Sequence, residues 1–157
     1  MKKIVNPWNG LEGYKCFGCA PENPLGLKLE FYEDGDDIVA IWKPIEWYQG
    51  WLDTLHGGIL ATLMDELGGW LVLRKLQTTG VTSRLDTRFL KSISTKNKQL
   101  TIRGRIKEQK RNAVFIESEI SDENEEVCAK ADMVYFVVTP EKAREQFHFC
   151  GCKTEEE

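Results

Sequence analysis

The sequence has no surplus of basic residues. Its 157 residues include 21 Lys and Arg against 25 Asp and Glu, which gives a formal net charge of -4 at pH 7. Proteins that bind nucleic acid usually carry a basic surplus or a basic stripe. Here the basic residues are scattered, and the nearest approach to a run, residues 107–111, indicates a solvated strand end. We therefore expect no nucleic-acid partner.

A secretory signal and a membrane span are also lacking. The basic residues at positions 2 and 3 are followed by Asn and Pro rather than by an apolar core, so no signal peptide is predicted. The longest apolar stretch, residues 57–73, is too short to cross a bilayer and carries Asp65 and Glu66 at its centre. We expect a cytoplasmic protein that does not contact membranes.

Internal repeats, low-complexity tracts and linkers are absent, so a single domain is predicted. A chain of 157 residues can bury a normal core without disulfides or metals. We expect one domain over residues 1–157, with its core at about 25–139. A cysteine-containing loop at 8–24 precedes the core, and a tail at 140–157 follows it, with a frayed acidic end.

The pattern of apolar residues predicts one long helix in a β-rich chain. Residues 57–75 are apolar on nearly every side, which is typical of a buried helix. Only a curved sheet, or a second copy of the chain, could cover such a helix. We predict an α+β domain in which antiparallel strands curve around the helix. The predicted strands are residues 27–32, 38–43, 82–91, 99–110, 113–121 and 127–138.

Two features of the predicted helix could carry chemistry. Gly57 and Gly58 begin it, and first-turn amides beside glycine can approach an anion or a developing oxyanion closely. The alternative is a plain turn that needs glycine for its dihedral angles. Asp65 is a carboxylate in an apolar helix, which indicates a general base or a nucleophile. Alternatively, a cross-element hydrogen bond satisfies it or it faces solvent.

The spacing of these residues predicts a site shared by two chains. Gly58 and Asp65 are seven residues apart, so they share a helix face but lie about 10 Å apart along its axis. One Asp therefore cannot easily act on a carbonyl held at its own helix start. Two antiparallel copies would bring Asp65 of one chain to Gly57 and Gly58 of the other, which is a composite site across a two-fold dimer.

Three segments carry a family resemblance: His56-Gly57-Gly58 followed by Asp65, the loop Cys16-Phe17-Gly18-Cys19, and residues 81–91. On the basis of these segments, residues 16–138 or thereabouts resemble the PaaI-like hotdog-fold acyl-CoA thioesterases. The resemblance implies a long central helix wrapped by a curved antiparallel sheet. It also implies homodimers that often pair into homotetramers, and hydrolysis of an acyl-CoA thioester. No cofactor is required, because coenzyme A is part of the substrate.

The resemblance also implies catalytic roles. Asp65 would activate water or attack the thioester, acting from the neighbouring subunit. A glycine amide at the helix start would form the oxyanion hole, His56 would orient the loop or the carbonyl, and Thr82 would assist the water or the carboxylate. The catalytic candidates are Asp65, Gly57, Gly58, His56 and Thr82.

Further residues are candidates for binding the substrate. Basic side chains at the end of the matching strand could contact the phosphates of coenzyme A, or could form a solvated strand face. Aromatic residues before the helix, Trp47, Tyr48 and Trp51, could line the acyl pocket or could cap the sheet edge. The family has an Asn or Gln several residues before the His, for which Gln49 is a weak counterpart. The substrate-binding candidates are Glu66, Ser83, Arg88, Lys91, Gln49 and Trp51.

The five cysteines raise a separate question. Cys16-x-x-Cys19 and Cys150-x-Cys152 have spacings that suit a metal, so a structural zinc site is possible if the two ends of the chain meet. Free thiols or a disulfide are the alternatives. Cys128 lies in a predicted strand and stands apart from this question.

Three other functions compete with thioester hydrolysis. A hotdog hydratase or dehydratase usually pairs its Asp with a His a few residues later, whereas His56 precedes Asp65 by nine residues. A non-catalytic module that binds acyl-CoA or another ligand would leave Asp65 unused. A zinc or redox protein would depend on the four paired cysteines.

Overall fold

Seven strands form one antiparallel sheet that curves around a long helix. The computed structural model describes all 157 residues. The strand order across the sheet is β1-β2-β3-β5-β6-β7-β4, so β4 is an edge strand. The strands are β1 (Lys2–Lys3), β2 (Phe31–Asp34), β3 (Asp37–Trp42), β4 (Gly80–Phe89), β5 (Leu100–Lys110), β6 (Ala113–Ser121) and β7 (Val127–Val137). The helices are a 3-10 turn (Glu46–Tyr48), α1 (Gly57–Leu71), a π turn (Val72–Leu76) and α2 (Pro140–Phe147).

Two-residue turns connect β2 to β3 and β5 to β6, between strands that the sequence predicts. Arg111 begins the turn between β5 and β6 at φ 56°, and Gly35 begins the turn between β2 and β3 at φ 61°. One strand start was predicted wrongly: β2 was expected from residue 27. Leu27 and Leu29 are buried as the alternation requires, but Lys28 between them has a φ of 54° and interrupts the extended backbone.

The long helix is buried on most of its surface but not on all of it. Strands β3 to β7 all contact α1. Each fully buried apolar side chain contributes about 1.5–3 kcal/mol to folding. Partly exposed residues follow one another at helical spacing along a single face, so the sheet of one chain leaves this face of α1 uncovered. This open stripe consists of Gly58, Thr62, Asp65, Glu66 and Gly69.

The carboxyl-terminal tail is ordered, which corrects the expectation of fraying. Thr154 is buried, and the N–H of Val5 donates to the carbonyl of Lys153 at 2.8 Å, so the tail extends the sheet beside β1. Arg74 pairs with the Glu157 carboxylate at 2.9 Å. Hydrogen bonding from the Thr154 N–H, together with Arg74, lowers the pKa of Glu157 to about 2.

The short helix α2 has clear start and stop signals. The Thr139 hydroxyl accepts the N–H of Lys142 at 3.3 Å, and Pro140 occupies the first turn, where its missing N–H is not needed. The helix ends at His148, which has a φ of 53°. None of the helices is long and apolar enough to cross a membrane.

Gly68 and Gly69, in the second half of α1, differ in their surroundings. A Cβ on Gly68 would lie 2.8 Å from the ring of Tyr135 and 3.0 Å from the sulfur of Met133. This close contact explains why a glycine, which weakens a helix, occupies position 68. A Cβ on Gly69 would meet nothing nearer than 4.0 Å. Only Gly68 is therefore required for the packing of this chain.

Gly68→Ala and Gly69→Ala form a matched pair. Gly68→Ala should lower the free energy of unfolding by about 1–3 kcal/mol, because the Tyr135 ring must move. Gly69→Ala should raise it by up to about 1 kcal/mol, because Ala has the higher helix propensity. Urea unfolding measures both changes. Equal effects of the two substitutions would contradict the packing argument.

Candidate active site

Asp65 is oriented by two hydroxyl groups. Its Oδ1 accepts a hydrogen bond from the Thr82 hydroxyl at 2.7 Å and another from the Tyr135 hydroxyl at 2.7 Å. The single proton of the Tyr135 hydroxyl is shared between this oxygen and the main-chain carbonyl oxygen of Asp65. The side-chain hydrogen bonds of Asp65 all end on Oδ1, so Oδ2 is free to act on another molecule.

The pairing of β4 with β7 explains this arrangement. Thr82 lies directly opposite Tyr135, and the register then shifts at a bulge between Thr82 and Arg84. Ser83 is the extra residue of this bulge, and of the two predicted hydroxyls only that of Thr82 bonds to Asp65. Tyr135 is buried, and burial together with the charge of Asp65 raises the pKa of Tyr135. It therefore keeps its proton and acts as a donor.

Asp65 opens into a groove of about 350 Å³. Thr82 and Tyr135 line the groove, together with aromatic side chains from both ends of the chain: Trp8, Tyr14 and Phe147. The Trp8 indole donates to the main-chain carbonyl of Phe147 at 2.7 Å, which ties the two ends together. The site is therefore a carboxylate beside an aromatic wall.

The start of α1 presents one free amide. His56 caps the helix, because its Nδ1 accepts the N–H of Gly58 at 2.9 Å. The N–H of Gly57 donates to no group in the chain. Of the two candidate oxyanion donors, Gly57 is thus available and Gly58 is engaged. With Nδ1 assigned as the acceptor, a neutral His56 carries its proton on Nε2, on the exposed side chain.

The loop before α1 is held by its own backbone and by Gln49. The Gln49 side-chain carbonyl accepts the N–H of Asp53 at 3.1 Å, so this side chain closes the loop. Tyr48 donates its hydroxyl to the carbonyl of Gly26 at 3.0 Å. The Trp47 and Trp51 side chains are 83% and 85% exposed, so they do not cap the sheet edge in the single chain.

Arg88 and Lys91 do not join Asp65 in the single chain. Arg88 lies opposite Lys130 on the outer face of the sheet and contacts Asp132 at 3.4 Å. It lines a depression of about 480 Å³ among charged side chains, on the face away from α1. Lys91 pairs with Glu126. In the single chain, Arg88 and Lys91 therefore belong to a solvated surface, which is the alternative to a role in binding coenzyme A.

The possible zinc site of four thiols was wrong, because the structure does not bring Cys16 and Cys19 together with Cys150 and Cys152. Cys16 and Cys19 group with Glu66 rather than with the carboxyl-terminal pair. Cys150 is exposed, and Cys152 is buried about two helical turns beyond Glu66, where its carbonyl accepts a hydrogen bond from Arg74. The tail packs on the π turn, so it does not reach the amino-terminal cysteines. All five cysteines are free thiols.

Glu66 lines the same groove as Asp65. Its Oε1 accepts the Cys16 thiol at 3.3 Å and the Trp70 indole N–H at 3.4 Å. The Cys19 thiol lies 3.2 Å from Cys16. This hydrogen bond lowers the pKa of Cys16, and together with burial it raises the pKa of Cys19. Glu66 therefore contacts the cysteine loop rather than the Asp65 carboxylate.

A long helix wrapped by a curved antiparallel sheet in this strand order is the hotdog fold, which confirms the predicted architecture. A family model described as thioesterase superfamily matches residues 52–129, which include the helix, Asp65 and Thr82. This part of the chain is a thioesterase-superfamily domain. No curated protein has a significantly similar sequence.

Solved structures of similar fold include proteins that hold coenzyme A. A hypothetical thioesterase from Streptococcus pneumoniae with coenzyme A is 27% identical, with a TM-score of 0.64, and the match covers 70% of this chain and 88% of that one. A Streptococcus mutans protein bound to acetyl-CoA is 21% identical over 83% and 97% of the two chains, with a TM-score of 0.66. The Escherichia coli PaaI protein is 17% identical over 72% and 81%, with a TM-score of 0.66. The last two show the fold alone.

The capping role of His56 can be tested apart from any activity. His56→Ala should lower the free energy of unfolding by about 0.5–2 kcal/mol, because the Gly58 amide loses its acceptor. His56→Asn should retain most of this stability, since its side-chain oxygen can cap the same amide. Urea unfolding of both variants is the measurement. An Asn variant as unstable as the Ala variant would rule out the cap as the cause.

Proposed function

We propose that this protein hydrolyses an acyl-CoA thioester to the free acid and coenzyme A, at a composite site across a dimer interface. The observation that carries the proposal is the Asp65 carboxylate, which has one oxygen fixed by Thr82 and Tyr135 and the other free. Membership of the thioesterase superfamily supports the reaction type. The relatives solved with coenzyme A and acetyl-CoA support the substrate class.

The free Oδ2 of Asp65 can start the reaction in either of two ways. As a general base, it takes a proton from water while the water oxygen attacks the thioester carbonyl carbon. As a nucleophile, it attacks that carbon itself, and water then hydrolyses the mixed anhydride. In both routes the C–S bond breaks and coenzyme A leaves as a thiolate that takes up a proton. Thr82 and Tyr135 keep the carboxylate oriented throughout.

The negative charge that develops on the carbonyl oxygen needs a donor. The N–H of Gly57 is unpaired and stands at the amino terminus of α1, where the helix dipole favours negative charge. The exposed His56 beside it can orient the same carbonyl through Nε2. Gly58 supports this arrangement indirectly, because its amide fixes the His56 ring.

A second copy of the chain brings the two halves of the site together. Gly57 and Asp65 are eight residues apart, about 12 Å along the axis of one helix. Antiparallel pairing at the open stripe of α1 would bring Asp65 to Gly57 of a second copy. The edge strand β4 supports such pairing, because Val81 and Phe89 on it are 54% and 55% exposed and its outer backbone groups have no partner strand. Two such dimers would form the tetramer that the resemblance implies.

Candidates for binding the rest of the substrate fall into two groups. Trp51 and the neighbouring Trp47 are free to contact an acyl group, since no part of their own chain covers them. Arg88 and Lys91 could serve coenzyme A only from a neighbouring subunit, because they face away from their own Asp65.

Asp65→Asn should reduce kcat/KM for thioester hydrolysis by about 10²–10⁴-fold, because the amide cannot take up a proton. The assay follows release of the coenzyme A thiol over a panel of acyl-CoAs. Asp36→Asn, in the exposed turn after β2, is the matched control and should keep wild-type activity. Wild-type turnover by the Asp65→Asn variant would exclude the proposed role.

Gly57→Pro removes the proposed oxyanion donor with little change in structure. Proline suits the first helical position, and His56 before it is extended, at φ -65° and ψ 131°. The variant should lose most activity, whereas Gly57→Ala keeps its N–H and should retain activity. The added Cβ would lie 3.4 Å from Phe89, an ordinary contact.

Mixing Gly57→Pro with Asp65→Asn then tests the composite site. After random subunit exchange, about one quarter of composite sites would carry both wild-type groups, so activity should return. Native mass spectrometry verifies the exchange. Exchanged dimers without any recovered activity would mean that each site lies within one chain.

A further inference from the structure

Two thiols and a carboxylate converge where the amino-terminal loop crosses α1. The Cys16 sulfur lies 3.3 Å from Glu66 Oε1 and 3.2 Å from the Cys19 sulfur. Gly18 allows this approach, because a Cβ there would lie 2.4 Å from the Glu66 carboxylate carbon. The loop backbone therefore rests on the Glu66 side chain, and a larger residue at position 18 would separate the three groups.

The donor atoms match the dimensions of a zinc site. The two sulfurs and the carboxylate oxygen all lie within 4.8 Å of one another. Tetrahedral zinc, with Zn–S of about 2.3 Å and Zn–O of about 2.0–2.2 Å, separates neighbouring donor atoms by roughly 3.5–3.8 Å. The observed separations of 3.2 and 3.3 Å need to widen by about 0.3–0.6 Å. A disulfide would instead require the sulfurs to be about 2.05 Å apart.

We propose that Cys16, Cys19 and Glu66 bind one Zn²⁺ ion through their two sulfurs and one carboxylate oxygen. Thiolates select zinc, copper(I) or iron–sulfur clusters among common metals, and a carboxylate ligand with only two thiolates favours zinc. Binding releases the two thiol protons, and the carboxylate supplies the third ligand. The Trp70 indole, which donates to Glu66 Oε1 at 3.4 Å, holds the carboxylate in place from outside the site.

The fourth position of the ion would face the groove. Cys16, Cys19 and Glu66 line the same groove as Asp65, and the Tyr14 hydroxyl lies 2.9 Å from the Cys19 sulfur. Water can therefore complete the tetrahedron. The ion would fasten the loop that contains Tyr14 to the helix, at the residue next to Asp65. The site is proposed independently of hydrolysis, since none of its ligands orients Asp65.

Metal analysis of the full chain tests the proposal. Protein produced with added zinc, kept reduced and dialysed free of unbound metal should contain about one zinc ion per chain. Cys16→Ser, Cys19→Ser and Glu66→Gln should each lose the metal, whereas the double variant Cys150→Ser/Cys152→Ser should keep it. Co²⁺ in place of zinc should give a thiolate-to-cobalt absorption band in the wild type and in that double variant only.

Several outcomes would contradict the proposed zinc site. Folded, reduced wild type that takes up neither zinc nor Co²⁺ has no such site, and zinc retained by Glu66→Gln would exclude the carboxylate ligand. Glu66→Gln keeps the shape of the side chain, so it decides the matter even if a cysteine variant fails to fold. Asp65→Asn should keep its zinc while losing hydrolysis, so failure of the metal site and failure of the proposed function are separately visible.

Discussion

The contact between Tyr135 and Asp65 is the interaction on which the candidate site depends. An ionised carboxylate inside an apolar helix is unfavourable unless hydrogen bonds compensate for the lost water. Tyr135 and Thr82 supply two such bonds at 2.7 Å, both to the same oxygen. Gly68, one turn further along α1, makes room for the tyrosine ring. Gly68 and the Tyr135 hydroxyl together allow α1 to carry the Asp65 carboxylate while Oδ2 stays available.

Under the proposed function, the same packing leaves the site incomplete in one chain. Strands β3 to β7 cover most of α1, and what they leave open is the stripe that contains Asp65. Along that stripe the helix fixes the distance between the carboxylate and the free amide of Gly57, because its rise per residue cannot change. A rigid element that holds two groups about 12 Å apart cannot bring them to one carbonyl. Under the proposed function, this helix geometry requires a second copy, and the exposed apolar side chains of β4 are consistent with one.

The pattern of apolar and polar residues was enough to predict most of the strands and the long helix. It was not enough to predict which side chains contact one another. Strand β6 has the predicted bounds because Val114, Ile116 and Ile120 alternate with Glu117 and Glu119 between two short turns. Tyr135 was missed because its pairing with Thr82 depends on a bulge at Ser83, which alternation cannot show. The sequence also could not tell which glycine amide is free, because that depends on the His56 side chain turning back to cap Gly58. The metal-like spacing of Cys150 and Cys152 was misleading, since the tail packs against Arg74 instead.

The groove combines residues inside and outside the range that matches the superfamily. The carboxylate and its partner Thr82 lie within residues 52–129, which match the superfamily, and under the proposed function they supply the chemistry. Trp8, Tyr14 and Phe147 lie outside that range and form the aromatic wall. The bond from the Trp8 indole to the carbonyl of Phe147 joins the two ends into one surface. Under the proposed function an acyl group would contact this wall, so the choice among acyl groups depends on the terminal segments, whereas hydrolysis depends on the helix.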